Sequence, residues 1–424
     1  MLESILDRRN MEKSLISVER NKGAGGVDGM RSDELRQYIS THYQELRKRI
    51  LEGTYKPEPV RKVEIPKPQG GVRMLCIPSV VDRMIQQSIY QWLSPQVDKE
   101  FDKNSYGFRP DKNAHQAVKA AQVYLDEGNT WIVEIDLEKF FDKVNHQKLM
   151  NLLSVKIKDN RTLKLISLYL KSGIMEGGMV SQRTEGTPQG SPLSPLLSNI
   201  MLNELDKELN RRGHKFVRYA DDCSIYVKSE KAAKRVQESI TRYIEEKLLL
   251  KVNRAKTKIS RPHQSYLLGF SFYKSKGKHL IILGAKALER IKEKCKLITK
   301  SSDPTKEKVK LQKLDEIIKG WVNYFKLAKM KSKMVILDAM VRTRLRISSW
   351  RRWKRTGTKA RNLIKLGVKK SDAYKWSCSS KKACRIANSP ILLTTQTTDY
   401  WRKLGYRGFF NYYHWHTDTF TLPL

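Results

Sequence analysis

The sequence predicts an α/β part followed by an all-α part, with a small basic region towards the C-terminus. Short strand-like runs alternate with helical stretches over the first two thirds of the chain. From residue 286 to 355 the pattern changes to long amphipathic helices. From Arg342 to Arg385 the chain has sixteen Lys and Arg and one acid, Asp372. Solvated charge runs are usually mixed in sign, so this one predicts a surface that binds a polyanion.

The N-terminal segment is predicted to form two helices, over 1–30 and 31–52, separated by a glycine-rich loop at 23–29. The loop lacks the G-x-x-x-x-G-K-[ST] pattern of phosphate-binding loops, so its glycines indicate a tight turn. Residues 63–73 then have the pattern of a β-hairpin that carries cations on both sides of its turn. Exposed cations on a hairpin are most often only solvated, and the pattern alone does not decide whether these bind an anion.

Two strand-like segments carry the acidic residues of most interest. Residues 131–136 are predicted to form a buried strand that ends in Asp136, and 215–227 a β-hairpin with Asp221 and Asp222 at its tip. If these carboxylates meet, their repulsion is costly unless cations neutralise it. Oxygen ligands select Mg²⁺ or Mn²⁺, and two such ions about 4 Å apart are the usual apparatus of nucleotidyl transfer. The plainer alternative is a strand end and a solvated turn.

Helices predicted at 112–127 and 146–170 have apolar positions at helical spacing and are expected to pack behind a sheet. A further strand-like segment leads to Gln189 and Gly190, and an apolar helix at 193–209 follows. Glycine lets another backbone approach closely, and a glutamine side chain donates and accepts hydrogen bonds without charge. Both properties suit a site next to a base pair.

Composition narrows the class of partner. A chain of 424 residues can form roughly two to four domains, and its net charge of +39 is typical of proteins that bind a polyanion. No apolar run approaches 18 residues and the N-terminus lacks the features of a secretory signal, so we expect no membrane partner and a cytoplasmic location. The five cysteines fit reduced thiols, and because Cys378 and Cys384 lack a close metal-ligand spacing we expect no zinc.

Eight short motifs follow one another along the chain: Asn21-Lys-Gly-Ala-Gly-Gly-Val-Asp-Gly29, Ile65-Pro-Lys-Pro-Gln-Gly-Gly-Val-Arg73, Ser105-Tyr-Gly-Phe-Arg-Pro110, Asp136-Leu-Glu-Lys-Phe-Phe-Asp142, Gly186-Thr-Pro-Gln-Gly-Ser-Pro-Leu-Ser-Pro195, Tyr219-Ala-Asp-Asp222, Leu250-Lys-Val-Asn-Arg-Ala-Lys256 and Leu267-Leu-Gly-Phe270. In this order they resemble the motifs of group II intron-encoded reverse transcriptases and maturases. The compact bacterial group IIC type is the most similar. Any one motif could arise by chance, but eight in order could not.

The resemblance implies the right-hand fold of polymerases, with fingers, a palm built on an antiparallel sheet with helices, and an α-helical thumb (the maturase X domain). A small basic DNA-binding region follows, and no match to the metal-dependent endonuclease of some relatives is found. The implied domains are an N-terminal extension and fingers at 1–100 (with part of 105–130), a reverse transcriptase palm and fingers at 80–280, the thumb at 285–355, and the basic DNA-binding region at 356–424.

The resemblance also assigns roles to residues. Asp136, Asp221 and Asp222 are implied to be catalytic, and the metal ligands are Asp136, Asp221 and the backbone carbonyl of Leu137. The implied nucleotide-binding residues are Lys67, Arg73, Phe140, Gln189, Arg61, Arg83 and Lys256. The implied primer grip is Leu268, Gly269 and Phe270. The implied nucleic-acid-binding residues are Arg109, Arg344, Arg346, Arg351, Arg352, Lys354 and Arg355.

The implied enzyme is an RNA-directed DNA polymerase that uses two Mg²⁺ ions, which Mn²⁺ can replace. Its implied partners are an RNA template and primer, dNTPs, a group II intron RNA whose splicing it assists, and a DNA target for intron mobility (retrohoming). Phe140 is implied to select deoxynucleotides, although the sequence alone does not choose between it and Phe141. Three alternatives stay open: an RNA-binding splicing cofactor with a decayed polymerase, a host-adapted reverse transcriptase, and an RNA-dependent RNA polymerase.

Overall fold

The computed structural model describes residues 1–66 and 70–418, with side chains described as far as residue 415. The chain divides into two compact units, Met1–Pro262 and His263–Leu424. The division between the units falls at residue 262, whereas the predicted palm and fingers extend to residue 280, and the predicted domain bounds stay a prediction. Lys67, implied to bind the triphosphate, lies outside the described residues.

Ten α-helices lie in the described part of the first unit. Six of them begin at a side chain that accepts a hydrogen bond from a first-turn N–H, and Asn113 and Gln116 form a complete capping box. The helices are α1 (Leu2–Ile5), α2 (Arg8–Asn21), α3 (Leu35–Leu51), α4 (Val80–Val97), α5 (Ala114–Asp126), α6 (Phe140–Lys143), α7 (His146–Lys156), α8 (Asn160–Lys171), α9 (Ser194–Arg211) and α10 (Glu230–Glu246).

The strands of the first unit form two four-stranded sheets. They are β1 (Val60–Pro66), β2 (Val72–Ile77), β3 (Trp131–Ile135), β4 (Ile174–Glu176), β5 (Met179–Ser181), β6 (Lys215–Tyr219), β7 (Asp222–Val227) and β8 (Lys258–Ser260). One sheet has the order β2-β1-β4-β5, and the other, which we call the acidic sheet, has the order β6-β7-β3-β8. Neighbouring strands are antiparallel except β1 and β4.

The acidic sheet has a well-buried interior. Its central strands β3 and β7 contribute the fully buried Ile132, Val133 and Ile225, while α5 packs on β6 and α10 on β3. Apolar burial of this kind stabilises by roughly 25 cal/mol per Å² and is the main force that fixes the strands in register. The sheet is therefore a firm base for any side chain at the strand ends.

Most elements predicted from periodicity are present. The hairpin predicted at 63–73 is formed by β1 and β2, and the hairpin predicted at 215–227 is formed by β6 and β7. The helix predicted over 146–170 is instead two helices, α7 and α8. The second of these begins after Asp159, whose carboxylate accepts hydrogen bonds from the first N–H groups of the new helix.

The second unit contains one hairpin and nine helices among its described residues. The hairpin is β9 (Phe270–Ser275) paired antiparallel with β10 (Lys278–Leu283). The helices are α11 (Ala285–Ile298), α12 (Glu307–Phe325), α13 (Lys331–Arg352), α14 (Thr356–Lys365), α15 (Lys370–Ser377), α16 (Ala383–Ala387), α17 (Pro390–Leu393), α18 (Thr398–Lys403) and α19 (Phe409–Asp418). Within the residues described, no helix is long and apolar enough to cross a membrane.

The predicted basic region is built onto the predicted thumb helices. α19 packs on α12 and α13. Asp338 of α13 is buried at the N-terminal end of α19. The Asp338 carboxylate accepts hydrogen bonds from the Tyr406 hydroxyl at 2.7 Å and from the backbone N–H groups of Phe409 and Phe410 at 2.8 and 2.9 Å. Because a carboxylate at a helix N-terminus satisfies otherwise unpaired donors, this contact anchors α19. The two predicted domains thus share a core.

Candidate active site

The acidic pair lies at a tight turn between two strands. β6 ends at Tyr219 and β7 begins at Asp222, and these two residues are paired. Ala220 and Asp221 form the turn, and Ala220 has a φ of 56°, the left-handed region that two-residue hairpin turns require. The predicted position of both aspartates at the tip of a hairpin is confirmed.

Asp136 leaves the same sheet beside this turn. β3 is antiparallel to β7 with Ile135 opposite Cys223, so the next residue along β3 lies beside Asp222. The backbone of Asp136 is fixed on its other side, where its N–H donates to the Thr257 hydroxyl at 3.1 Å and its carbonyl accepts from the Asn253 N–H at 2.8 Å. The structure therefore brings together the three carboxylates that the sequence singled out.

Two of the three carboxylates, Asp221 and Asp222, have a raised proton affinity. Burial, followed by the charge of Asp136, raises the pKa of Asp221 above its usual range. Burial, followed by the charges of Asp221 and Asp136, raises the pKa of Asp222 to about 6. The Asp222 residue as a whole is exposed to solvent, so the rise in its pKa depends mainly on the negative charges of the neighbouring carboxylates. The site thus holds more negative charge than its surroundings neutralise.

Two cations partly balance this charge. Lys256 Nζ lies 3.8 Å from Asp136 Oδ2 and lowers the pKa of Asp222 against the larger effects that raise it. Arg73 on β2 likewise opposes the rise in the pKa of Asp221. Both residues were predicted to lie near the triphosphate, and the structure places their charges within range of the carboxylates.

The arrangement fits Mg²⁺ rather than a metal enclosed by protein. Across the described ranges, no group of three His, Cys, Asp or Glu side chains is close enough to hold an ion by itself. Mg²⁺ is commonly bound by one or two carboxylates, several waters and substrate phosphates, and does not need a cage of protein ligands. Asp136 and Asp221 could supply those carboxylates, with the Leu137 carbonyl on the residue that follows.

Gln189 and Gly190 are attached to the strand that carries Arg73. The carbonyl of Gln189 accepts a hydrogen bond from the Cys76 N–H of β2 at 2.8 Å. Gly190 has a φ of 113°, and a β-carbon there would lie 3.1 Å from the Cys76 carbonyl oxygen. A larger residue would therefore be strained by its backbone and crowded by β2. This explains why the predicted close approach needs glycine at this position.

Arg83 lies beside the glycine-rich loop, and Arg61 lies on β1. Arg83 Nη2 donates to the Ala24 carbonyl at 2.6 Å, and the place of a β-carbon on Gly23 is only 2.5 Å from Arg83 Nη1. The Nε atoms of Arg83 and Arg61 are buried without a hydrogen-bond partner. Burial, with a smaller effect from Arg61, lowers the pKa of Arg83. Two cations of like charge so close together would be stabilised by an anion, and their role in nucleotide binding stays a prediction.

Phe140 is a core residue in this structure. It begins α6, is 3% exposed and touches Phe141 edge-on at a centroid distance of 5.3 Å. Lys139 before it has a φ of 47°, so the chain turns sharply between Asp136 and the ring. Phe141 is only partly buried. The structure thus places both aromatic rings in the short helix that follows Asp136, and the assignment of the sugar gate stays a prediction.

A buried ion pair behind the acidic turn was missed by sequence reasoning. Arg218 of β6 and Asp206 of α9 are both completely buried and lie 2.6 Å apart between Nη2 and Oδ2. Burial alone would lower the pKa of Arg218, but the Asp206 carboxylate outweighs it and raises that pKa. The signal in the sequence was a single arginine inside an apolar strand and a single aspartate on the apolar face of a helix.

The predicted primer grip is a tight turn in the second unit. Leu267 and Phe270 exchange two backbone hydrogen bonds, and Leu268 and Gly269 between them have φ values of 53° and 90°. The Leu268 carbonyl accepts from the Tyr324 hydroxyl at 3.1 Å. Phe270 and Gly269 are buried, whereas Leu268 is partly exposed. The role of this turn as a primer grip stays a prediction.

Two of the arginines assigned to nucleic-acid binding have a structural role instead. Arg109 has a side chain that is 6% exposed, pairs with Asp98 at 2.7 Å and donates to backbone carbonyls, including that of Ser105 at 3.0 Å. Arg346 is buried and donates to the Ala387 carbonyl at 2.7 Å. Because these guanidinium groups are enclosed by protein acceptors, they are not available to phosphate, and we correct both assignments.

The other five residues assigned to nucleic-acid binding differ in their exposure and in their contacts with the protein. Arg344 donates to the Thr299 hydroxyl at 2.7 Å, and Arg351 to the Ser301 hydroxyl at 2.7 Å. Arg352 pairs with Glu307. Arg351, Arg352, Lys354 and Arg355 are all exposed. This short stretch at the end of α13 is the most accessible part of the predicted nucleic-acid surface.

Comparison with known proteins agrees with the two-part architecture. Residues 65–272 match the model of the family described as reverse transcriptase (RNA-dependent DNA polymerase). Residues 288–367 match the maturase-specific domain of group II introns. The chain is therefore a reverse transcriptase with a maturase domain, and it belongs to the group II intron reverse transcriptase and maturase family.

Individual relatives support this membership. Protein YkfC of Escherichia coli is 34% identical over 58% of this chain and 75% of its own length. The group II intron-encoded protein LtrA of Lactococcus lactis is 36% identical over 47% of this chain, and the match spans only 33% of LtrA. A putative COX1/OXI3 intron 2 protein of Saccharomyces cerevisiae is 35% identical over 41% of this chain and 20% of its own length. The solved partial Cas6-RT-Cas1--Cas2 complex matches 58% of this chain and 42% of its own chain, at 25% identity and with a TM-score of 0.38.

Proposed function

We propose that this protein copies RNA into DNA by two-metal nucleotidyl transfer, with Asp136, Asp221 and Asp222 as its catalytic carboxylates. One observation carries the proposal. Three carboxylates lie at the ends of adjacent strands, where burial and the charge of Asp136 raise the pKa of Asp221 and of Asp222, inside the part of the chain that matches the reverse transcriptase model. Such a cluster is costly to maintain unless a cation uses it.

The residues around the carboxylates have distinct parts in this proposal. Asp136, Asp221 and the Leu137 carbonyl would hold two Mg²⁺ ions, and bound ions would supply activation of the primer 3′-hydroxyl and stabilisation of the leaving pyrophosphate. Arg73 offers a charge-assisted hydrogen bond to the triphosphate, and Lys256 a proton to the leaving group. Asp222 keeps the local field negative, so that the neighbouring cations stay attracted to the site.

Acidification should raise the Mg²⁺ concentration needed for half-maximal primer extension. Because the pKa of Asp222 is raised to about 6, the carboxyl is ionised well above that pH and takes up a proton below it. Protonation of Asp222 removes a negative charge beside Asp136 and Asp221, so these proposed ligands attract Mg²⁺ less strongly. Mg²⁺ titrations between about pH 8 and about pH 5.5 would measure this. A constant Mg²⁺ requirement across that range, with RNA binding also constant, would contradict the account.

We further propose that the second unit binds the structured RNA of a group II intron, and so assists its splicing and its insertion into a DNA target. Support comes from the maturase-domain match and from charge. His263–Leu424 has 37 Lys and Arg and ten Asp and Glu, which gives it most of the net charge of the protein. Phosphate contacts from such a surface supply affinity that does not depend on sequence. The bacterial relatives favour a bacterial cytoplasmic setting.

Removing two exposed charges at the end of α13 should weaken RNA binding and reduce its salt dependence. Lys354→Gln with Arg355→Gln should lower the slope of log affinity against log salt by roughly 0.7–0.9 for each phosphate that the protein no longer neutralises. Lys231→Gln with Arg235→Gln, exposed on α10, is the charge-matched control and should leave the slope nearly unchanged. Equal slopes for both double variants would mean that the basic run is only a solubilising surface.

The function is tested by primer extension on an RNA template with Mg²⁺, run beside binding of the cognate intron RNA. Extension with dNTPs and tight intron binding are both expected. Intron binding without extension would favour the splicing cofactor with a decayed polymerase. Extension without intron binding would favour a host-adapted reverse transcriptase, and equal use of ribonucleotides would favour an RNA polymerase.

A further inference from the structure

Arg218 is enclosed by acceptors on every side. It is completely buried in β6, immediately before the acidic turn. Its Nε and Nη2 donate to the two carboxylate oxygens of Asp206 on α9, at 2.7 and 2.6 Å. This is the bidentate geometry in which an arginine fork holds a carboxylate most firmly. One nitrogen of the guanidinium, Nη1, is left over from the ion pair.

That remaining nitrogen reaches the acidic turn. Arg218 Nη1 donates to the carbonyl of Ala220 at 2.9 Å and to Asn199 Oδ1 at 3.0 Å. Ala220 is the residue before Asp221, and its φ of 56° is a conformation that residues other than glycine seldom adopt. Such a backbone persists only where the surroundings over-determine it. The ion pair therefore reaches the backbone from which the metal-binding side chain projects.

The opposite side of the turn is closed as well. A β-carbon added to Gly107 would lie 2.3 Å from the Ala220 nitrogen, so a bare backbone is pressed against the turn. The Gly107 carbonyl accepts from Asn199 Nδ2 at 2.9 Å. The Tyr106 N–H donates to the Arg218 carbonyl at 2.8 Å. Asn199 thus connects both sides of the turn, because its side-chain oxygen accepts from Arg218 and its side-chain nitrogen donates to the Gly107 carbonyl.

We propose that Arg218 is a positioning residue that sets the angle at which Asp221 meets the metal ions. It touches neither substrate nor metal and acts through the Ala220 carbonyl. The inference rests on the proposed two-metal chemistry. Mg²⁺ demands near-ideal octahedral geometry, so a small rotation of this turn costs metal affinity and rate together.

Lysine cannot replace arginine in this arrangement. A lysine at 218 could still pair with Asp206, but its single nitrogen does not present the planar fork that bonds Asp206, Asn199 and Ala220 at once. Replacing both Arg218 and Asp206 by apolar residues also removes the bond to the turn, but it leaves no unpaired buried charge that would lower stability. Replacing a buried ion pair by apolar residues of similar volume often leaves a protein folded, whereas removing one partner leaves an uncompensated charge.

The test compares Arg218→Lys and the double variant Arg218→Met with Asp206→Leu. The control is Arg212→Lys, at the end of α9, where the arginine pairs with Glu208 and is remote from the turn. Site-specific Mn²⁺ binding is measured by electron paramagnetic resonance without substrate, with Asp221→Ala giving the background. Melting temperature, RNA affinity and primer extension are measured on the same preparations.

We expect both test variants to melt as a single transition and to bind RNA as the wild type does. Site-specific Mn²⁺ binding should weaken at least several-fold and extension should fall on the order of 100-fold, while Arg212→Lys changes neither. Wild-type Mn²⁺ binding and extension in either folded variant would overturn the proposal. Should the double variant not fold, Arg218→Lys decides alone. A wild type that shows no extension would instead refute the proposed function.

Discussion

Asp136→Ala and Asp221→Ala should each reduce the rate of nucleotide addition by roughly 1,000-fold or more. The two carboxylates lie at the ends of neighbouring strands, and in the proposed mechanism both would hold the metal ions. Removing either would leave the ions without one of their protein ligands, so the electrostatic stabilisation of the transition state would be lost. Asp222→Ala should also be severely impaired, although it contributes less directly to the ions. Primer extension on an RNA template, under single-turnover conditions, measures the loss.

The same variants should keep their fold and their RNA affinity. Because burial and mutual repulsion raise the pKa of Asp221, its ionised form destabilises the folded state at neutral pH. Melting temperatures at neutral pH should therefore be unchanged or higher in Asp221→Ala, and RNA affinity should stay within a few-fold. Asp142→Ala, which removes an exposed carboxylate from the same motif, is the matched control and should retain activity. Substantial extension by Asp221→Ala would refute the metal assignment.

Phe140→Val should raise ribonucleotide incorporation on the order of 100-fold while retaining use of deoxynucleotides. The Phe140 ring follows the sharp turn after Asp136 and is held by the core, with 3% of its surface exposed. A ring that cannot move excludes a 2′-hydroxyl by overlap, and repulsion of this kind leaves the ribonucleotide no alternative pose. Paired primer extension with each nucleotide set, for wild type and variant, measures the change.

Phe141→Val is the comparison that locates the gate. Phe141 touches Phe140 but is only partly buried, so the two substitutions separate neighbours that the sequence could not distinguish. Melting curves are needed for both, because truncating a buried phenylalanine typically costs about 3–5 kcal/mol when taken to alanine. A change in selectivity with Phe141→Val alone would move the gate by one residue. Unchanged selectivity in both would place it elsewhere.

The sequence was sufficient for the parts of the site that local pattern determines. An acidic pair between two strand-like runs predicts a hairpin tip, and an apolar run ending in Asp136 predicts a strand end; the structure has both. Strand alternation, turn preference and the order of motifs all indicate the same arrangement here. Agreement across these levels is why the carboxylates could be assigned before their geometry was known.

The sequence was not sufficient where a side chain's role depends on distant partners. Arg109 and Arg346 look like other basic residues along the chain, yet one is enclosed by the backbone around Ser105 and the other by Ala387. Asp338 gave no sign that it would hold the start of α19. Such roles are fixed by tertiary packing between segments far apart in sequence, which neither periodicity nor composition encodes.

The central claim is that these carboxylates catalyse RNA-templated DNA synthesis. The most direct test is extension of a pre-annealed primer on an RNA template with dNTPs and Mg²⁺, by wild type and Asp221→Ala at equal RNA occupancy. We predict full-length DNA product from the wild type, none above background from the variant, and none from either after the metal is chelated. Equal product from both proteins, or product that survives chelation, would contradict the account.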